Sequence, residues 1–411
     1  MLFVYIFPFL LTTIFASLSF PFKSIFGAYY LDALLGTPHQ ETKYIISLLS
    51  DKSTVLNYHS FNLSDSSTYS NPTPTQFQSP FLPQTSPIST THFTDTLIIN
   101  SITLPYFSFY ELPYSNQHLY SDNDILAFNY AITPDSSLTH SLYKNEHITH
   151  LSFSLIHTEY KKGKIIFGLL PQELASQHKY NGQCKVTKST YGTWGCELSH
   201  IFIDDISYVY NNIYYTNSHY ACFDSGVSGI HVPQDFFDFV MKHVFSDYIK
   251  ANKCKDVLFS EQMFFTCDND VLEILPTISF VFDGKGYVVH MKEMFSFFGE
   301  TADFVMGVNL IKKDVFLFGN TFVSLFNMTF DYENGIVGFY SQNEGRVIDV
   351  DLEGLFPKRR ILKMGFIIIA VILIGLFVYR WIKRKRRVGG KVIKRKFNIK
   401  GNIGNMIDTL M

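Results

Sequence analysis

The chain has 411 residues, which suits two domains or one large two-lobed body. Its formal net charge of −2 lacks the strongly basic character of nucleic-acid-binding proteins, so no nucleic-acid partner is expected. Aromatic residues make up 17% of the chain, which provides ample material for a buried core.

Two apolar stretches predict a route through the secretory pathway. Residues 1–19 are predicted to be a signal peptide, with Ser17 and Ser19 at positions −3 and −1 of the cleavage site; an N-terminal membrane anchor is the alternative. Residues 361–382 reach the length of a transmembrane helix, and the basic run that follows predicts a cytosolic tail at residues 383–411. A buried core helix is the alternative for this second stretch. The predicted protein is a single-pass membrane protein of the secretory pathway or cell surface, with a lumenal or extracellular body.

The five cysteines fit an oxidising compartment. Cys184 and Cys196 are twelve residues apart, and Cys254 and Cys267 are thirteen apart. We therefore expect two local disulfides, although cysteine spacing alone does not determine connectivity. Cys222 stands alone in an apolar segment and is expected to be a buried thiol.

Smaller motifs add a modification and argue against a metal. Asn62 and Asn327 each begin a glycosylation sequon. His147 and His150 have no further His or Cys at metal-ligand spacing, so solvated loop histidines are expected and no metal or cofactor is predicted.

The most informative stretch is residues 220–233. Residues 221–223 predict a short buried strand that ends on Asp224, and Gly226 and Gly229 then allow a sharp turn. Such a turn holds an acid rigidly at the end of a strand. Taken alone, the same letters also fit a surface Asp-Ser-Gly turn.

This stretch resembles the second active-site loop of the pepsin-like aspartic proteases. The resemblance makes Asp224 the family's second catalytic aspartate and places Ser225, Gly226, Val227 and Ser228 in the active-site loop. Further segments resemble the same family in the right order and spacing. They are Gly27 to Gln40, Phe61 to Tyr69, Lys162 to Gly168, Phe316 to Gly319 and Phe330 to Phe339.

The resemblance implies a mainly β fold with two antiparallel β lobes around a central cleft. The expected lobes are residues 20–175 and 176–345, and residues 346–360 link them to the membrane span. The family's ligands imply a peptide or protein in the cleft between the lobes. A monomer without a cofactor is expected.

The first-lobe half of the active site departs from the family. Aspartic proteases need two carboxylates, one per lobe, that share a proton and act on a bound water. The first one should lie seven residues after Gln40, at Ser47, where Asp-Thr-Gly is replaced by Ser47, Leu48 and Leu49. Asp51 comes four residues later and could substitute only if a bulge shifted the register of the strand.

Other family features are missing from the first lobe. The flap region, residues 76–87, has no Tyr or Gly and contains three prolines, which would stiffen it. Ala127 stands where the family has a glycine, whereas its second-lobe counterpart, Gly319, is present. The resemblance also leads one to expect a basic prosegment after the signal peptide, and none is recognisable.

These departures predict a pepsin-like protein that has lost most or all peptidase activity and uses its cleft or surface for binding. The alternative is an active aspartic endopeptidase that uses Asp224 and Asp51. A short distance between these two carboxylates would favour the active enzyme, whereas Ser47 facing Asp224 would favour the binding protein.

Overall fold

A computed structural model describes the protein over most of its length. The described residues are 17–25, 27–56, 61–77, 88–112, 124–130, 134–159, 162–175, 178–187, 193–204, 206–208, 219–227, 229–259, 262–298, 301–308, 315–341, 346–350, 374, 379 and 380. According to the contacts within the chain, the protein divides into two units, Met1–Val350 and Asp351–Met411.

The described part of the chain is mainly β-structure, with strands numbered in chain order. Thirteen strands belong to one sheet: β1 Leu18–Ile25, β2 Ala28–Leu35, β3 Gln40–Ser47, β4 Thr54–Leu56, β5 Ser70–Phe77, β6 Ile88–Ile99, β7 Ile102–Leu112, β8 Asp124–Ala127, β9 Ser152–Glu159, β10 Lys162–Phe167, β11 Tyr180–Lys185, β23 Asn327–Asp331 and β24 Ile336–Tyr340. Their order across the sheet is β11-β24-β23-β9-β10-β1-β2-β3-β8-β4-β7-β6-β5.

A second sheet contains the other twelve strands of the described residues. These are β12 Gly195–Ile203, β13 Ile206–Tyr208, β14 His219–Phe223, β15 Ile230–Val232, β16 Cys254–Phe259, β17 Gln262–Asp268, β18 Thr277–Phe282, β19 Lys285–His290, β20 Phe295–Phe298, β21 Thr301–Val308, β22 Val315–Phe318 and β25 Val347–Asp349. The main path is β16-β17-β21-β15-β22-β14-β12-β18-β19-β25, with β13 paired to β12 and β20 to β21.

Helices are short and lie between strands. They are α1 Leu138–Lys144, α2 Pro171–Ala175, α3 Gln234–Val240, α4 Ser246–Lys250, α5 Asn269–Leu272 and α6 Asn320–Val323. A π-helical turn, Met241–Phe245, joins α3 to α4. Helix α3 contributes to the core, because Phe236, Phe237 and Val240 are buried.

The two lobes share the first sheet. Strands β23 and β24 come late in the chain, yet β23 pairs with β9 of the first lobe from Met328 opposite Leu155 to Asp331 opposite Ser152. A buried hydroxyl pair, Ser154 and Thr329, lies 2.8 Å apart within this pairing. The division at residue 175 therefore separates the chain in sequence, but the sheet continues across it.

The folded body extends beyond residues 20–345 at both ends. Strand β1 begins at Leu18, so the predicted signal peptide, residues 1–19, overlaps it by two residues. Strand β25 lies within the predicted linker and pairs with β19. Arg346 fixes this end by donating to both carboxylate oxygens of Glu293, at 2.5 and 2.8 Å.

The predicted disulfides are confirmed. Cys184 is bonded to Cys196 and Cys254 to Cys267, each pair joining neighbouring strands or strand ends. Cys222 is a buried free thiol, and burial raises its pKa to about 12. These disulfides indicate a secreted or lumenal domain.

Within the described residues, no helix combines the length and the apolar character that crossing a membrane requires. The predicted span, residues 361–382, falls outside the described residues except at positions 374, 379 and 380. Most of the predicted signal peptide, residues 1–16, and the whole predicted tail also fall outside them.

Candidate active site

The second-lobe loop, residues 224–229, holds Asp224 at the end of β14. The backbone N–H of Asp224 donates to Phe318 O at 2.9 Å, and this bond continues the parallel pairing of β14 with β22. The side chain is fully buried, and Gly226 N donates to its Oδ1 at 3.2 Å. Backbone N–H donors of this kind stabilise a carboxylate.

Gly319 closes this loop because no larger residue fits there. A Cβ at Gly319 would lie 2.3 Å from Gly229 O and 2.4 Å from Val227 O. The close approach lets Gly319 N donate to Gly229 O at 2.9 Å and Asn320 N to Val227 O at 2.7 Å. The family-like glycine is therefore required by backbone contact.

The first-lobe loop, residues 47–53, places Ser47 at the equivalent position. Ser47 ends β3, lies opposite Ala127 of the parallel strand β8, and is fully buried. Its Oγ accepts from Leu49 N at 3.3 Å and from Ser50 N at 3.0 Å. The Ser47 hydroxyl thus accepts hydrogen bonds from backbone N–H groups of its own loop, as the Asp224 carboxylate does in the second lobe.

The two loops are joined directly by hydrogen bonds. Leu48 N donates to Asp224 Oδ1 at 2.7 Å, and Ser225 Oγ donates to Ile46 O at 2.6 Å. Tyr29 N adds a bond to Ser225 O at 3.1 Å. Asp224 therefore accepts a hydrogen bond from the backbone of the opposite lobe, next to Ser47.

Leu48 and Leu49 fill space where the family has a hydroxyl residue and a glycine. Leu48 is fully buried in the main core. Leu49 is 1% exposed and clusters with Cys222 and Val227, and with Val315 and Leu317 of β22. The first-lobe loop therefore contributes apolar packing to the underside of the second-lobe loop.

Asp51 lies in the first-lobe loop, four residues after Ser47. It is half-buried, and its Oδ1 is buried with no hydrogen-bond partner. Burial raises the pKa of this carboxyl group, while the positive charge of Lys52 opposes the shift. Its other ionisable neighbour is Tyr110 of β7, whose pKa is raised by burial and by Asp51.

The two loops have the same length. Thr54, seven residues after Ser47, lies opposite Ile125 of β8, two positions before Ala127. His231, seven residues after Asp224, lies opposite Leu317 of β22, two positions before Gly319. Asp51 therefore lies in a loop without an extra residue, and β3 keeps a regular register with β8 up to Ser47. The register shift that would bring Asp51 to the place of Ser47 is absent from these strands.

Buried aromatic residues support the end of β3. Trp194 is fully buried and donates from Nε1 to Phe128 O at 2.5 Å, just after β8. Tyr332 OH donates to the same oxygen at 3.1 Å. Because Phe128 N donates to Ser47 O at 2.8 Å, this core holds the end of β3 in place.

The other predicted site features are only partly visible. Val227 is buried, whereas Ser228 and flap residues 78–87 lie outside the described residues. No cluster of three or more potential metal ligands occurs among the described residues. Sequence reasoning missed the hydrogen bond from Leu48 to Asp224 and the cluster around Leu49. The signal in the sequence was a pair of consecutive leucines directly after a strand-like segment.

As a chemical arrangement, the site offers one carboxylate opposite one hydroxyl. A serine hydroxyl does not ionise at acidic pH, so it cannot share a proton with Asp224 as a second carboxylate would. Asp224 can still accept hydrogen bonds from a bound molecule or polarise water.

A scan against family models matches the eukaryotic aspartyl protease family over residues 29–342. The match covers most of the chain and agrees with the order of strands and loops. The chain therefore belongs to the eukaryotic aspartyl protease family.

A search of solved structures gives the same fold. The crystal structure of the aspartic proteinase from Irpex lacteus is similar, with a TM-score of 0.60 and 16% sequence identity. The similarity covers 79% of this chain and 97% of the fungal chain. A search of curated proteins found no match.

Proposed function

We propose that this protein is a pepsin-fold binding protein with lost or strongly reduced peptidase activity. Its ligand is a peptide or protein held between the lobes. The observation that carries the proposal is the Ser47 hydroxyl at the position opposite Asp224, together with the bond from Leu48 N to Asp224 Oδ1.

The remaining carboxylate has a structural role that competes with catalysis. Its Oδ1 accepts from Leu48 N of the first-lobe loop and from Gly226 N of its own loop, so this oxygen helps to hold the two loops together. Loss of a general acid or base lowers enzymatic rates by about 10²–10⁴. We therefore expect at most slow cleavage.

The test is cleavage of a mixed peptide library by the full-length protein between pH 3 and 6. Asp224→Asn is the matched variant, because an amide oxygen can still accept from Leu48 N and Gly226 N. We expect at most slow cleavage by the native protein and none by Asp224→Asn, while both retain peptide binding. Rapid cleavage by the native protein that disappears in Asp224→Asn would refute the proposal.

A second variant tests the reason for inactivity. Ser47→Asp restores the second carboxylate without changing Leu48 or Leu49. If the missing acid is the main defect, Ser47→Asp gains cleavage that is blocked by a pepstatin-type transition-state mimic. If it gains none, the leucines or the flap also prevent catalysis.

The competing function is an active aspartic endopeptidase that uses Asp224 and Asp51. It is favoured by the raised pKa and the unpartnered Oδ1 of Asp51, which suit a proton donor. Asp51→Asn distinguishes the two functions, because only an Asp51-dependent enzyme would lose activity in this variant.

The body is proposed to lie on the lumenal or extracellular side of a membrane, held by a span at residues 361–382. The apolar sequence of that segment, the basic run after it and the two disulfides support this topology. Protease protection of intact vesicles tests it: residues 383–411 should be digested from outside while the body is protected.

Glycosylation gives an independent test of the same topology. Asn62 is exposed, whereas Asn327 is half-buried in β23 and accepts from His157 N at 2.9 Å. We expect Asn62→Gln to remove an endoglycosidase-sensitive mobility shift and Asn327→Gln to leave it unchanged.

A further inference from the structure

Strand β1 is an integral part of the folded body. It pairs with β10 from Leu18 opposite Phe167 to Lys23 opposite Lys162, and its end pairs with β2. A central strand of this kind has hydrogen-bonding partners on both sides, so its removal would expose two strand edges.

The side chains of β1 alternate between core and solvent. Phe20 is 1% exposed and Phe22 is 2% exposed, whereas Ser19, Pro21 and Lys23 are exposed. Phe20 contacts the ring of Phe167 at a centroid distance of 5.4 Å, and Phe22 stacks on Tyr29 at 4.5 Å. The segment is therefore anchored by two aromatic side chains of the core.

Cleavage after Ser19 would damage this strand. It would remove Leu18 and Ser19, which both pair with β10. Leu18 also packs against the core. The cleavage would also create a charged α-ammonium group on Phe20, whose side chain is almost completely buried. Charged groups next to apolar core are costly unless they are paired.

We propose that the leader is instead cleaved at the Ala16–Ser17 bond, and that Leu18–Ile25 remains as the first strand of the mature protein. Ala16 supplies the small residue at position −1, with the aliphatic Ile14 at −3. Ser17 is exposed and precedes β1, so a new α-ammonium group there reaches water. This inference rests on the proposed secretory targeting.

The reaction is hydrolysis of one peptide bond by a signal peptidase. The C–N bond between Ala16 and Ser17 breaks, the hydroxyl group of water goes to the Ala16 carbonyl carbon, and a proton goes to the Ser17 nitrogen. A later cut within residues 18–25 would remove residues that pair with β10 or β2.

The decisive measurement is mass spectrometry of the N-terminal peptide of the full-length protein purified from a secreting eukaryotic cell. A peptide that begins at Ser17 is expected. A peptide that begins at Phe20 overturns the position of the cut. Retention of Met1 overturns the proposed leader itself, so the two failures are distinguishable.

Two matched substitutions locate the cut independently, because arginine at position −1 blocks signal peptidase. Ala16→Arg should abolish cleavage at the expected bond, whereas Ser19→Arg should leave it unchanged. Ser19 is exposed, so the fold accepts the longer side chain there. The opposite result, with only Ser19→Arg blocking cleavage, would place the cut after Ser19.

A deletion tests whether β1 belongs to the mature fold. A chain that begins at Ser17 behind a foreign leader should accumulate in the membrane fraction to the same level as the native chain. A chain that begins at Ala28 should accumulate to a several-fold lower level, because it lacks Phe20 and Phe22. Equal levels of both chains would overturn the structural role of β1.

Discussion

The two loops that meet at the centre of this molecule have the same topology but different chemistry. In the second lobe, β14 ends on a carboxylate, and Gly319 allows two backbone segments to touch. In the first lobe, β3 ends on a serine, and two leucines occupy the turn. The comparison shows that the strand framework does not require a functional acid in each loop, because backbone donors can be satisfied by a hydroxyl.

The largest difference between the loops is expected at the glycine position. Gly319→Ala should lower the free energy of unfolding by about 3 kcal/mol or more, because its Cβ would collide with Gly229 O and Val227 O. Urea denaturation measures the loss. The matched change in the first lobe, Ala127→Gly, should cost only about 1 kcal/mol through backbone entropy. Equal losses would show that the two positions do not differ in packing.

Leu49 tests whether the first-lobe loop has exchanged catalysis for packing. Leu49→Ala should cost about 3 kcal/mol, because it leaves a cavity against Cys222 and Val227. Leu49→Met keeps most of the volume and should cost less than about 1.5 kcal/mol. A loss as small for Ala as for Met, in the same urea experiment, would mean that the cluster contributes little.

A pH titration tests the contact between Tyr29, which binds the second-lobe loop, and His157. Tyr29 donates its backbone N–H to Ser225 O, and its hydroxyl lies 3.3 Å from Nδ1 of His157. Burial lowers the pKa of His157 from 6.5 to about 4, while a hydrogen bond to Val323 opposes the shift. As pH falls below 6.5, the unfolded state binds a proton before the folded state does, so stability is lost until about pH 4.

The expected loss is on the order of 2 kcal/mol, since one pKa unit corresponds to about 1.4 kcal/mol and His157 is partly reached by water. Unfolding free energies of the native protein and His157→Gln, measured from pH 7 to 4, give the contribution by difference. A constant difference across this range would show that His157 does not titrate as expected.

The smallest loss of stability is expected when the Ser225 hydroxyl, which donates to the backbone of β3, is removed. Ser225→Ala should cost about 1–2 kcal/mol, because it leaves Ile46 O buried without its donor. Ser225→Thr keeps the donor and is the control. If thermal unfolding shows the same loss for both variants, steric fit rather than the hydrogen bond sets the stability.

Much of the fold and half of the site could be predicted from the sequence. The order of the motifs predicted the two-lobed β fold, and counting from Gln40 led to Ser47, which is the last residue of β3. The two expected disulfides are present, although spacing alone left their connectivity open. These features depend on short segments whose residue types are restricted by turns, glycines or alternation.

The bonds between the loops could not be predicted in this way. The donor to Asp224 is the backbone of Leu48, 176 residues away, and any residue other than proline supplies such a donor. Strand β1 was recognisable in principle, because Leu18, Phe20 and Phe22 alternate with polar or exposed positions. Its apolar character instead suggested the end of a signal peptide.

The shared sheet has a consequence for how the protein is made. Strand β1 is synthesised first, but its neighbour β10 follows about 140 residues later, and β9 is covered only when β23 emerges. Contacts of such long sequence separation form slowly. During translation the edge of β9 therefore stays unpaired until the second lobe is almost complete, and an open strand edge of this kind is prone to pair with other chains.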